Sequence, residues 1–283
     1  MKYSFSLLVG ILFIFVTLGA DQIPAYADQL SNGLAAADHG DFQTALRILR
    51  PLAEQGNPSA QIELGDFYRL GVGGVQRSNN DAIKWYARSA RQGNEEALNL
   101  LVDVYDKKKD YAKAIEWLKQ GASRGYAGVQ FRLAQRYETG LGVKQDYAES
   151  AIWFRKADEN GDPIAASYLG VLYENGQGVK KDYGEAFRWY WKAAWAGDGR
   201  AAHHLGDLYA LGNGIPQRWT EAYFWYCLGA MSDAQESHTI EHNKMTDDAA
   251  KHLSQDEISA IEKRVREWRP VRPAPSAPTQ RGN

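Results

Sequence analysis

The sequence predicts an all-α protein, an α-solenoid of tandem helix-turn-helix hairpins, and three observations predict it. First, Trp85, Trp117, Trp153, Trp189 and Trp225 stand 32, 36, 36 and 36 residues apart. Second, Tyr68, Tyr105, Tyr137, Tyr173 and Tyr209 form a parallel ladder with steps of 37, 32, 36 and 36. Third, small and apolar residues keep the same register. Leu64, Leu101, Leu133, Leu169 and Leu205 precede each Tyr by four, Ala82, Ala114, Ser150, Ala186 and Ala222 precede each Trp by three, and Gly93, Gly125, Gly161, Gly197 and then Asp233 follow it by eight. Self-similarity at this period marks units that cannot bury an apolar face alone and must stack on their neighbours.

The elements follow in order. Lys2 precedes an uncharged apolar run from Tyr3 to Ala20, then Pro24 and Ala25-Tyr26-Ala27. A positive start, an apolar stretch and small residues at −3 and −1 describe a secretory signal over residues 1–27, cleaved after Ala27. The rival is an uncleaved anchor helix, for which the run is at the short end. No later segment has membrane-spanning length, so the mature chain is expected to be exported, periplasmic or extracellular, with no integral span. Residues 28–57 read as a divergent first repeat, with Ala45, Ile48 and Ala53 in the register of the Trp-bearing helices. Residues 58–234 carry five repeats. In the fourth, Ala165, Leu169 and Tyr173 lie on one stripe of a first helix, and Ala186, Trp189, Ala193 and Ala194 line a second. The small Ala positions let paired helices approach, and the Trp is expected to fill the space between neighbouring units. Glycine at position 176 ends the first helix, because glycine alone takes positive φ cheaply. Asp182 with Glu185, and Asp146 with Glu149, read as capping boxes that start the second helices. Residues 235–269 are expected to cap the stack. Ile240, Met245, Ala249 and Leu253 give one loose apolar face, and Ser254-Gln255-Asp256-Glu257 opens a helix bearing Ile258, Ile261, Val265 and Trp268. Residues 270–283, with four of the nine prolines, read as a disordered tail.

The string Leu-Gly-x-x-Tyr, then Gly-x-Gly-Val-x-x-Asp-Tyr, then Ala-x-x-Trp-Tyr-x-x-Ala-Ala-x-x-Gly resembles the Sel1-type repeat, a relative of the tetratricopeptide repeat. The unit from Leu169-Gly170 to Gly197 matches almost throughout. Ala134 replaces the first Gly of the third unit, and Arg218-Trp219 replaces Asp-Tyr in the fifth. The second lacks the Gly-x-Gly loop, turns through Lys107–Asp110, and resembles a plain tetratricopeptide unit. The resemblance implies a right-handed superhelix, a protein-binding role and a concave face lined by the first helices.

Composition excludes several classes. Lys plus Arg number 33 against 35 Asp plus Glu, a net charge of −2, so the electrostatic excess of a nucleic-acid binder is missing. The single Cys227 rules out an intrachain disulfide scaffold, and its place in an apolar helical run favours core packing over nucleophilic catalysis. His238-Thr239-Ile240-Glu241-His242 spells an HxxEH string, two imidazoles one turn apart as inverted zinc peptidases have, but it lies in a polar cap helix without a further ligand. His203 and His204 are adjacent and diverge by about 100° around a helix, which suits one metal poorly. The Gly-x-Gly loops at Gly140, Gly176 and Gly212 never complete GxGxxG and follow no strand, so turn geometry accounts for them. No catalytic constellation, metal or cofactor is expected.

In a fixed framework only the variable slots can encode a partner. Carrying over the concave face of tetratricopeptide-type hairpins by the Leu-Gly register selects Asp66, Arg69, Asn99, Asp103, Asp106 and Gln135. It also selects Glu138, Ser167, Glu174, Arg200, His203 and Asp207. Six are acidic and two are Arg, which suggests a mildly acidic groove for a basic or extended segment of another protein. The function expected is therefore a non-enzymatic scaffold or regulator of the cell envelope. Two alternatives stand beside it: a cell-wall-associated enzyme, and a glycan-binding accessory protein that would need exposed aromatics such as Trp191, Trp195 or Trp219.

Overall fold

The structure, a computed structural model, describes residues 23–232 and 239–269. The apolar run of the expected signal, Asp233, His238 and the tail 270–283 lie outside the described residues. The described residues form fourteen α-helices and no strand. In order these are α1 (Ile23–Asp38), α2 (Phe42–Glu54), α3 (Pro58–Leu70), α4 (Asn79–Arg91), α5 (Glu95–Lys107), α6 (Tyr111–Ser123) and α7 (Ala127–Thr139). There follow α8 (Tyr147–Glu159), α9 (Ala165–Asn175), α10 (Tyr183–Trp195), α11 (Gly199–Leu211), α12 (Trp219–Ser232), α13 (Thr239–Ala250) and α14 (Gln255–Glu267). Helix α1 runs through the Ala27 position. The chain divides into two compact units, Met1–Gly121 and Ala122–Asn283. Within the first, α1 to α5 pack each on the next. Within the second, α7 to α13 do the same and α14 lies on α12. This is the α-solenoid that the repeats predict.

The sequence sets each helix boundary. Asn57 caps α3 by accepting from the Ala60 N–H at 2.8 Å, with Pro58 in the first turn, and Asn94 caps α5 through Ala97 at 2.9 Å. The first helices α3, α7, α9 and α11 end at Gly71, Gly140, Gly176 and Gly212, with φ between 70 and 77°. The box expected at Asp182 acts in one direction only. Asp182 accepts from the Glu185 N–H at 3.0 Å, but the Glu185 carboxylate turns away to Arg188. Among the described residues the reciprocal box is complete at Ser254 and Glu257 alone. The second glycine of each loop has a different task. A Cβ on Gly178 would sit 2.1 Å from the Tyr147 carbonyl carbon, and one on Gly214 would sit 2.4 Å from Tyr183 Cβ. In the fourth and fifth hairpins the loop thus rests directly on the start of the second helix of the hairpin before it.

The repeating Trp is not the central filler that its periodicity suggests. Trp85, Trp117, Trp153 and Trp189 are half-buried, and Trp225 alone among the five is enclosed. Cations three residues on cover several of their faces, Arg88 at 4.4 Å from the Trp85 ring centre and Lys156 at 4.0 Å from that of Trp153. The enclosed position is the next residue: Tyr86, Leu118, Phe154, Tyr190 and Tyr226, exposed by 4% or less. Its partner is the residue after the repeat Leu. A Cβ on Gly65, Gly170 or Gly206 would lie 2.4 Å from the ring of Tyr86, Tyr190 or Tyr226 respectively. Where Ala134 replaces that Gly the ring is Phe154, and where Val102 replaces it the residue is Leu118. Buried Gln61 and Gln130 repeat in the same way. Their Nε2 groups donate to the Ala53 and Ala122 carbonyls at 3.0 and 2.9 Å, and their Oε1 atoms accept from Gln92 and Asn160.

The C-terminal helices close the second unit. Ala249, Ile261 and Val265 join one apolar cluster with Tyr190, Leu205 and Trp225, flanked by Leu253, Ile258 and Trp268. Cys227 is half-buried on the edge of that cluster, and burial pushes its thiol up to about 11, which removes the thiolate needed for nucleophilic chemistry.

Candidate functional site: a carboxylate-bearing face of the first helices

Burial along the first helices shows which slots face outward. Counted from the repeat Leu, the slot two residues before it turns inward: Ile62, Ser167 and His203 are buried, and Asn99 is half-buried. The slot one before it, Glu63, Arg132, Tyr168 and His204, is half-exposed throughout. His203 therefore packs inside, its ring 2.4 Å from where a Cβ on Gly229 would stand, while His204 takes the outward place. The other expected residues sit nearer solvent. Asp103 and Arg200 are exposed, and Asp66, Arg69, Asp106, Gln135, Glu138, Glu174 and Asp207 are half-exposed.

In the second unit two of these carboxylates are held from below by buried tyrosines. The Tyr190 hydroxyl donates to Glu174 Oε2 at 2.6 Å, and the Tyr226 hydroxyl donates to Asp207 Oδ1 at 2.7 Å. His204 Nδ1 lies 3.4 Å from the same Glu174 oxygen, and its ring stacks on Tyr190 at 4.5 Å with 2° between the planes. The contact with His204, followed by that with Tyr190, holds the Glu174 carboxyl below the usual carboxylate range. Burial raises Glu138 instead. Arg200 lays its guanidinium over the Tyr168 ring at 5.3 Å.

The first unit repeats the arrangement once. The Tyr86 hydroxyl donates to Asp66 Oδ1 at 2.9 Å, and Arg69 Nε donates to that oxygen at 2.9 Å and to Tyr86 at 3.1 Å. Burial, then the charges of Asp66, Asp38 and Glu96, push Glu63 up to about 7. Sequence reasoning passed over Glu63, His204 and the three tyrosines. The signal for the tyrosines was present as the pairing of Leu-Gly with Trp-Tyr inside single repeats.

Chemically, this face offers fixed acceptors. Among the described residues no group of three or more His, Cys, Asp and Glu is placed to hold a metal. The side chains of residues 238–242 lie outside the described set, and so does the HxxEH string. Of the three aromatics named for glycan binding, Trp191 is 37% exposed, Trp195 lies 4.2 Å from Trp268, and Trp219 stacks on His252 at 3.9 Å. No helix among the described residues is long and apolar enough to cross a membrane.

A tandem array of helical hairpins, three of them closed by a Leu-Gly to Trp-Tyr contact, defines an α-solenoid repeat protein. The Sel1 repeat matches residues 58–94, 105–126, 127–162, 163–198 and 199–233, and the chain belongs to the Sel1 repeat family. Proteins of this family typically mediate protein–protein interactions and are generally non-catalytic. A crystal structure of a Sel1 repeat protein from Oxalobacter formigenes is 31% identical, with a TM-score of 0.64 over 72% of this chain and 85% of that one. The ERAD-associated E3 ubiquitin-protein ligase component HRD3A of Arabidopsis thaliana is 30% identical over 26% of this chain and 11% of its own length. The HRD3 component of Candida glabrata is 30% identical over 42% of this chain and 15% of its own. The chain thus spans only a small part of the length of these two ligase components.

Proposed function

We propose that this protein is an exported, non-enzymatic scaffold or regulator in the periplasm or outside the cell, which binds a partner protein through the carboxylate-bearing face of its first helices. The partner's contribution is a basic or extended segment. One observation carries this reading: buried tyrosine hydroxyls fix the half-exposed carboxylates of Glu174 and Asp207, as Tyr86 fixes Asp66. A carboxylate has about four lone-pair sites, and beside the tyrosine hydroxyl Glu174 also meets His204 and Asp66 also accepts from Arg69. An acceptor held in place loses less side-chain entropy when a Lys or Arg arrives. The amino-terminal segment with its Ala25-Tyr26-Ala27 site supports export, and the family's common role supports a protein partner.

The test is in-cell crosslinking with mass spectrometry to identify the partner, followed by charge reversal at Asp103, Glu138 and Asp207. Capture is expected to fall in the reversed set and, in the unaltered protein, to weaken as salt rises. Undiminished capture of the same partner by a variant of normal helicity would sink the reading.

A further inference from the structure

The tyrosine-held carboxylates differ in their counter-charge. In the first unit Asp66 Oδ1 accepts from the Tyr86 hydroxyl and from Arg69 Nε, both at 2.9 Å. A guanidinium is not deprotonated in proteins, so that partner is a lasting cation. In the second unit the Glu174 oxygen that accepts from Tyr190 meets His204 instead, with Nδ1 at 3.4 Å. An imidazole is the side chain that changes charge between about pH 5 and pH 8. The contact is braced from the interior. The His204 ring lies flat on the enclosed Tyr190 ring at 4.5 Å, with 2° between the planes, while its side chain stays 36% exposed. The same slot holds Glu63, Arg132 and Tyr168 in other repeats, so the fold does not require an imidazole there.

We propose that His204 is a protonation latch on Glu174, which sets the pH above which this part of the face accepts a basic segment. The latch rests on the reading of the face as a surface for cations. Protonated, His204 cancels the Glu174 charge and repels an incoming Lys or Arg. Neutral, it leaves the carboxylate to the newcomer, so attraction for a cation rises with pH. The depressed Glu174 carboxyl is the other side of the same coupling. The other charged and titratable groups around the pair are Lys181 in the loop before α10, Tyr190 on α10, Arg200, His203 and Asp207 on α11 itself, and Tyr226 on α12. Burial drives both tyrosine hydroxyls upward, away from the neutral range, and His203 is enclosed. His204 is thus the solvent-facing imidazole of the group. A unit charge about 6 Å from an incoming cation at a protein surface changes its affinity by about three- to tenfold.

The experiment uses the full chain and two full-chain variants. H204Q is neutral at every pH, and H204K carries a lasting cation, as Arg69 does beside Asp66. The probe is acetyl-tetraarginine amide, with binding measured by titration calorimetry at about pH 5 and about pH 8. The unaltered protein is expected to bind the peptide about three- to tenfold more tightly at the higher pH. H204Q is expected to lose most of that difference and H204K to bind weakly at both, while far-UV circular dichroism stays constant. Carbon NMR of the Glu174 carboxyl gives a separate readout, since without the imidazole it is expected to titrate at higher pH. The same pH ratio in H204Q as in the unaltered protein, or the same Glu174 titration in both, would overturn the latch and leave the reading of the face standing. No binding of the peptide at either pH would remove both.

Discussion

Replacing Gly170 with Ala tests the packing rule that repeats through the chain. The new Cβ would stand 2.4 Å from Tyr190 Cε1 and 2.5 Å from Cδ1, where ordinary contact begins near 3.4 Å. Tyr190 is fully enclosed and tied to Glu174 at 2.6 Å, so its ring cannot retreat without giving up that bond. Overpacking a core typically costs about 1–3 kcal/mol. Losing a hydrogen bond to a charged group adds about 1.5–3 kcal/mol. Gly170 is an ordinary helical residue, so alanine returns about 1 kcal/mol of helix propensity. The expected net loss is about 1.5–5 kcal/mol, read as a fall in the urea midpoint followed by circular dichroism. The decisive comparison is the double variant G170A/Y190F, which reproduces the Ala134 and Phe154 pair found one repeat earlier. Without the hydroxyl tether the ring can shift, so the double variant is expected to lose less than the sum of the singles by about 1.5 kcal/mol, the size of the released bond. Additive losses, or a G170A protein more stable than the parent, would refute the reasoning.

Three further outcomes follow from the same structure. G178A is expected to lower the melting temperature well beyond G74A: both positions have positive φ, but only at Gly178 would the Cβ strike backbone, 2.1 Å from Tyr147. S254A removes the complete capping box and is expected to destabilise α14 by about 1 kcal/mol, seen as faster hydrogen exchange of its amides. Glu63 gives a pH dependence of known sign. Its folded pKa of about 7 stands above the unfolded value of 4.5, so its contribution is fully present below 4.5 and is lost as pH rises through 7. Relative to E63Q, the urea midpoint of the parent protein should therefore fall between pH 4.5 and 8. A constant difference across that range would show that Glu63 is not the titrating group.

Much of this architecture was legible because a solenoid writes its unit several times. The Trp and Tyr ladders, the terminating glycines and the small Ala positions recur as letters, and recurrence is visible without knowing which way a side chain points. Orientation was the harder quantity. At the residue after each repeat Trp, the letters change among Tyr, Leu and Phe while size and burial persist, so a search for identity found the half-buried neighbour and missed the enclosed one. The paired slot changes with it, Gly where Tyr stands, Ala where Phe stands and Val where Leu stands, and the close approach at the three Gly–Tyr pairs shows why. A similar one-residue error placed His203 outward. Adjacent residues differ by about 100° around a helix, and polarity cannot say which of two histidines faces solvent. The capping boxes at Asp146 and Asp182 went half-right: each Asp accepts from the backbone N–H of the Glu three residues on, but at Asp182 that Glu pairs with Arg188 one turn further instead of reaching back.

The tyrosine hydroxyls beneath Glu174 and Asp207 also tie the outer face to the interior of each hairpin. A ligand that pulled either carboxylate outward would strip a deeply set hydroxyl of its acceptor, whereas one that settled around the carboxylate where it stands would tighten the hairpin. Occupancy of the face would then register as a change in how readily α10 and α12 open to solvent exchange, so the solenoid's own rigidity would report whether it has a passenger.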